Sequence, residues 1–125
     1  MKHVLLIDDN PIDSYIAKHI ITKSKIAQKI SVQNSAIDAL EFLEPLKNDP
    51  EEFPESIFLD IQMPKMNGFG FLEEFKKFPE AIHGQCKVIM LTSSDDQQDI
   101  DQSFQYPFVK KFLTKPLVSS MLVDI

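Results

Sequence analysis

The sequence predicts an α/β protein built on a parallel sheet of five strands with helices on both faces. Three observations predict it. Short apolar runs recur at Val4-Leu5-Leu6-Ile7, Ser56-Ile57-Phe58-Leu59 and Val88-Ile89-Met90-Leu91, each stopping at a polar residue. Continuous apolar runs of this length suit strands buried on both faces of a parallel sheet. The stretches between the runs carry helical spacing, and strands alternating with helices imply right-handed crossovers.

The chain has 125 residues, 43% hydrophobic and 26% charged, with only 3 glycines. That is the composition of one ordinary globular domain, large enough to bury about two thirds of its unfolded surface. Nineteen acidic residues against 13 basic give a net charge of -6, a field that repels a phosphate backbone and disfavours direct nucleic-acid binding. The lone Cys86 forms no intramolecular disulfide, no apolar run approaches the ~20 residues of a membrane helix, and the N-terminus lacks a signal-peptide pattern. A cytoplasmic location without membrane insertion is the expectation.

Taken in order, the first strand runs into Asp8-Asp9. Pro11 suits the first turn of a helix, and Ile12, Tyr15, Ile16, His19 and Ile20 follow at the spacing of one apolar stripe. Lys29-Ile30-Ser31-Val32 reads as the second strand, after which Ser35 and Asp38 resemble a capping box before Ala36, Ala39, Leu40 and Leu43. Pro45, Pro50 and Pro54 break up an acidic stretch before the third strand, which ends in Asp60. Gly68 precedes Phe71, Leu72, Phe75 and Phe78 at helical spacing with Pro79 as the stop, and the fourth strand ends at Thr92. Residues 95–105 are polar, with only Ile100 and Phe104 suggesting a helical face; residues 109–113 form the last strand, closed by Lys115-Pro116. Nine residues remain after Pro116 for a final helix, too few to be stable alone. No internal repeat or second composition block is visible.

Polar groups at the carboxyl ends of parallel strands converge on one edge of the sheet. Here those ends carry Asp8, Asp9, Asp60, Thr92 and Lys115. Read alone, Asp8-Asp9-Asn10 could be a helix cap, Asp60 a solvated strand end, Thr92 a loop cap, Phe112 core packing and Lys115 a surface lysine. Taken together and in order, Leu6-Ile7-Asp8-Asp9-Asn10, Ile57-Phe58-Leu59-Asp60-Ile61-Gln62-Met63-Pro64, Met66-Asn67-Gly68, Val88-Ile89-Met90-Leu91-Thr92-Ser93 and Phe112-Leu113-Thr114-Lys115-Pro116 form a specific constellation. It resembles the receiver domain of two-component response regulators, of the single-domain chemotaxis-regulator kind, across the whole chain.

The resemblance implies a flavodoxin-like, doubly wound sheet of strand order 2-1-3-4-5 and one receiver domain over residues 1–125 without an effector domain. That order sets the first and third strands side by side. Three neighbouring carboxylates raise one another's pKa unless a cation intervenes, and hard oxygen ligands suit Mg²⁺. By resemblance Asp60 is the phosphoacceptor. Asp9, Asp60 and the main-chain carbonyl of Gln62 ligate Mg²⁺, and Asp8 acts mostly through water. Lys115, aimed inward by a cis bond to Pro116, pairs with the phosphoryl oxygens, Thr92 and Phe112 form the switch, and Met63 gates solvent access beside Ser93.

The implied function is acceptance of a phosphoryl group from a histidine kinase or histidine phosphotransfer protein, followed by altered binding to a downstream protein. The protein would be a monomer or a phosphorylation-dependent dimer. It would be no enzyme toward an external substrate, though it takes part in its own phosphorylation and dephosphorylation. An Asp-nucleophile Mg²⁺ phosphatase of the haloacid-dehalogenase kind wants Asp-x-Asp, whereas Asp60 precedes Ile61-Gln62. A phosphorylation-independent binding module of receiver type would lack one of the acidic pair, the acceptor or the lysine, and all are present. His3, His19 and His83 have no metal-ligand spacing, and Cys86 reads as packing.

Overall fold

A computed structural model describes residues 3–123. Its strands are β1 (His3–Ile7), β2 (Lys29–Gln33), β3 (Ser56–Leu59), β4 (Lys87–Thr92) and β5 (Val109–Thr114), all parallel, in the order β2-β1-β3-β4-β5. The predicted flavodoxin-like order is therefore the observed one. The α-helices are α1 (Pro11–Ser24), α2 (Ala36–Leu43), α3 (Gly68–Phe75), α4 (Glu80–Gln85) and α5 (Gln97–Ser103).

The sheet divides the core in two. One side, under α2, α3 and α4, is aromatic: Phe53, Phe71, Phe75, Phe78 and Phe108 pack with Leu5, Ile57, Leu59, Leu72 and Ile82. The other side, under α1, is mainly aliphatic, with Val4, Leu6, Ala17, Ile21, Ile89, Leu91, Leu117 and Leu122 around Phe58.

Helix α1 corrects the sequence reading. It begins at Pro11 as expected, but Ile12 and Tyr15 of the expected apolar stripe are 68% and 73% exposed, and the buried positions are Ser14, Ala17 and Ile21. Hydrophobic spacing locates the largest apolar residues. The sheet instead receives the face of Ser14, Ala17 and Ile21, where two of the three side chains are small. Ile20 alone of the stripe packs partly against this core.

Three further elements depart from expectation. Pro79, read as a stop, is the N-cap of the additional helix α4, whose Ile82 is buried and whose His83 ring lies against Phe75 and Phe108. The proline-rich stretch contains a 3₁₀ turn (Glu44–Leu46) and fixes Phe53 in the aromatic core. In place of a final helix, a 3₁₀ turn (Ser119–Leu122) buries Leu122 beside α1; residues 124–125 of the expected helix lie outside the described residues. Helix α5 does form across the polar stretch, but it buries only Ser103, and Phe104 stays largely exposed.

His3 is buried in β1. Its Nε2 lies 2.8 Å from the Ser31 hydroxyl and its Nδ1 3.3 Å from the Glu52 carbonyl. Burial lowers its pKa below the ordinary 6.5, only partly offset by the Glu52 carbonyl. Burial also pushes the Cys86 thiol up, and Cys86 packs in the aromatic core, which suits packing rather than redox chemistry.

Candidate functional site

The register of the three central strands builds the site. Ile7 pairs with Leu59, and Leu59 pairs with Met90, so the residues that follow these strands share one edge. The Asp60 N–H donates to the Ile7 carbonyl at 3.0 Å, which extends the ladder to the foot of the carboxylate. Asp8, Asp9 and Asp60 each present a carboxylate oxygen, and these oxygens all lie within 4.8 Å of one another.

Capping does not use up the acidic pair. The side chain of Asn10 is the N-cap of α1, accepting the Ile12 and Asp13 N–H groups at 2.9 and 3.2 Å. Asp8 in turn accepts the Asn10 N–H at 2.9 Å. Asp8 and Asp60 are buried while Asp9 is exposed at the rim.

Lys115 reaches into this cluster from the end of β5. Thr92 pairs with Thr114, the Lys115 N–H donates to the Thr92 carbonyl at 2.8 Å, and the bond between Lys115 and Pro116 is cis. Its Nζ lies 2.7 Å from Asp8 Oδ2, 2.8 Å from Asp13 Oδ2 and 3.2 Å from Asp60 Oδ2. Burial, the largest single influence, pulls the ammonium's pKa down, but Asp13, Asp8 and Asp60 together outweigh it and hold it above the ordinary lysine value. Burial raises the pKa of Asp8, and the bond from Lys115 opposes that rise.

Asp60 Oδ1 is buried without a hydrogen-bond partner among the described residues. A buried carboxylate oxygen in that condition costs free energy unless something compensates it. The Lys115 ammonium meets Asp8, Asp13 and Asp60, while Asp8, Asp9 and Asp60 bring three carboxylates together at one point. This set of hard oxygen donors with excess negative charge fits a small divalent cation.

Thr92 is fully buried, and its Oγ1 accepts the Ser94 N–H at 3.4 Å. Phe112 is half-buried on β5 opposite Met90, packed against the aromatic core. Ser93 is exposed. Gln62 is exposed two residues beyond Asp60. Met63, the expected solvent gate, is buried in the core cluster. His3, His19 and His83 stand outside the acidic cluster.

Asp13 was not foreseen. Its signal in the sequence is weak: an acidic residue one helical turn beyond the acidic pair, which helix-dipole arguments explain without any site.

A doubly wound α/β fold thus carries a buried aspartate, an acidic pair and a lysine together on its carboxyl edge. The profile of the response regulator receiver domain matches residues 4–125, and the chain belongs to that family of two-component systems. Among curated proteins it is 29% identical over 117 residues to the response regulator Rcp1 of Synechocystis, covering 91% of this chain and 76% of that one. It is 29% identical over 123 residues to the chemotaxis protein CheY of Thermotoga maritima, covering 98% and 92%. A two-component response regulator from Cytophaga hutchinsonii superposes with a TM-score of 0.91 at 28% identity, over 99% of this chain and 92% of that one. The Mn²⁺-bound form of Rcp1 gives a TM-score of 0.76 at 28% identity, over 98% and 86%.

Proposed function

We propose that this protein is a phosphorylation switch in which Asp60 accepts a phosphoryl group from the phosphohistidine of a histidine kinase or phosphotransfer protein, in a reaction that needs Mg²⁺. The observation that carries the reading is the condition of Asp60: buried, with Oδ2 at 3.2 Å from Lys115 Nζ and Oδ1 without a partner among the described residues, beside Asp8 and Asp9.

Asp8, Asp9 and Asp60 would hold the cation, with the main-chain carbonyl of Gln62 as a further ligand by family resemblance. Bound Mg²⁺ supplies positive charge against the phosphoryl oxygens. The Mn²⁺-bound form of the similar Rcp1 supports a divalent site of this kind. Asp60 is the nucleophile: a carboxylate oxygen forms a bond to phosphorus as the donor's nitrogen–phosphorus bond breaks, and the donor imidazole keeps the electron pair and takes up a proton. Lys115 holds a point charge at the phosphoryl oxygens.

Thr92 leaves its bond to the Ser94 N–H and turns its hydroxyl to the phosphoryl group, and Phe112 repacks with it. The surface of β4, α5 and β5 changes and alters affinity for a downstream protein. The phosphoryl group passes from the donor to the protein's own aspartate and from there to water, so the protein is a phosphoacceptor and not an enzyme acting on an external substrate.

The test is incubation with acetyl phosphate and Mg²⁺, then with chelator, for the wild-type protein and Asp60→Asn, read by intact mass under conditions that preserve acyl phosphates. One phosphoryl adduct that needs Mg²⁺ and Asp60 is expected. Absence of any adduct, from acetyl phosphate and from histidine-kinase donors alike, would overturn the reading and leave a phosphorylation-independent binding module.

A further inference from the structure

We propose that Asp13 is a positioning residue that receives the Lys115 ammonium when a divalent cation takes the oxygens of Asp8 and Asp60. The inference rests on the phosphorylation reading above and assigns a role to a residue outside the acidic triad.

An ammonium group has three N–H donors. Those of Lys115 meet three carboxylates, at 2.7 Å to Asp8, 2.8 Å to Asp13 and 3.2 Å to Asp60. Two of the three are also the buried members of the candidate cation site, so the ammonium and a cation draw on the same two carboxylates. Lys115 is thus an internal counter-ion of the acidic cluster. A cation that draws charge from these two carboxylates loosens the hold of Lys115 on them.

Asp13 makes that withdrawal possible. Its side chain is 35% exposed, against 9% for Asp8 and 7% for Asp60, which places it toward the rim. It does not belong to the group of carboxylates that converge for a metal. Its backbone is fixed by the Asn10 cap at the start of α1, so its place does not depend on the loops after β3 or β4. On cation entry Lys115 keeps its bond to Asp13, remains beside Asp60, and has two N–H donors released for phosphoryl oxygens. Without Asp13 the ammonium stays on Asp8 and Asp60 and opposes the cation.

A general loss of one negative charge would also weaken cation binding, and a double-mutant cycle separates the two effects. Mg²⁺ affinity is measured by titration calorimetry on the full chain for wild type, Asp13→Asn, Lys115→Met and the double variant. With Lys115 present, Asp13→Asn is expected to weaken Mg²⁺ binding by about tenfold; with Met at 115 the same change costs no more than about threefold. Asp13→Ser, a substitution well tolerated in the first turn of a helix, repeats the comparison if the asparagine variant folds poorly. Equal factors in the two backgrounds would overturn the role of Asp13. In that case acetyl phosphate labelling of wild-type Asp60 still stands on its own, whereas a wild-type protein that binds no Mg²⁺ overturns the functional reading and this inference together.

Discussion

Gly68 stands against the main chain of Asp60: a β-carbon at position 68 would come within 2.5 Å of the Asp60 carbonyl oxygen and 2.9 Å of the Ile61 α-carbon. The Gly68 N–H donates to the Ile61 carbonyl at 2.8 Å, so the start of α3 is tied to the strand end that carries the acceptor. The obstacle is backbone, which cannot rotate away as a side chain can. Gly68→Ala is therefore expected to lower stability by about 1–3 kcal/mol in urea denaturation and to slow acetyl phosphate labelling, because relief of the clash displaces Asp60.

Mg²⁺ should stabilise the fold through the acidic cluster. At a free concentration ten times its dissociation constant, a ligand that binds only the native state adds about 1.4 kcal/mol. Urea midpoints with Mg²⁺ and with chelator should show a gain of this size in the wild type and a smaller one in Asp60→Asn. An unchanged gain in that variant would place the cation elsewhere.

His3 makes stability depend on pH. Its folded pKa lies below the ordinary 6.5, so at pH values beneath 6.5 the unfolded chain binds more protons than the native one. Stability is fully present above about 6.5 and falls as the pH drops toward the folded pKa. Denaturation midpoints of wild type and His3→Gln between pH 7.5 and about 5 should diverge on the acid side, with the wild type losing more. Parallel curves would mean that His3 titrates alike in both states.

The two faces of α1 should respond in opposite ways to truncation. Ile21 is fully buried, so Ile21→Ala is expected to cost about 2–5 kcal/mol, whereas Ile12→Ser and Tyr15→Ser should stay within about 0.5 kcal/mol of wild type. Chemical denaturation of the three variants checks the assignment of the buried face.

That assignment marks where sequence reading stopped. The three central strands were legible because each is a short apolar run closed by a polar residue, and Asp8, Asp60 and Thr92 were legible with them, as was Lys115 through the Lys-Pro pair after β5. The buried face of α1 was not, since periodicity weighs hydrophobicity and not the small volume of Ser14 and Ala17. Helix α4 was hidden behind Pro79, a residue that caps a helix as readily as it ends one. Phe53 sits in a proline-broken stretch with no period at all. Asp13 meets Lys115 across 102 residues of sequence, and only the tertiary fold brings such a pair together.

The unequal division of aromatic residues across the sheet gives the molecule a built-in spectroscopic asymmetry. The rings of Phe71, Phe75, Phe78, Phe108 and His83 stand at centroid separations of 4.8 to 5.7 Å on one side, while Phe58 is the buried ring of the opposite cluster. Aliphatic methyl groups under α2 and α3 therefore lie in strong ring-current fields, and those under α1 are far less affected. In a proton NMR spectrum the most upfield-shifted methyls report on one half of the interior, including Met90, the residue opposite Phe112. Chemical-shift changes on phosphorylation would show from which side of the sheet the switch is felt.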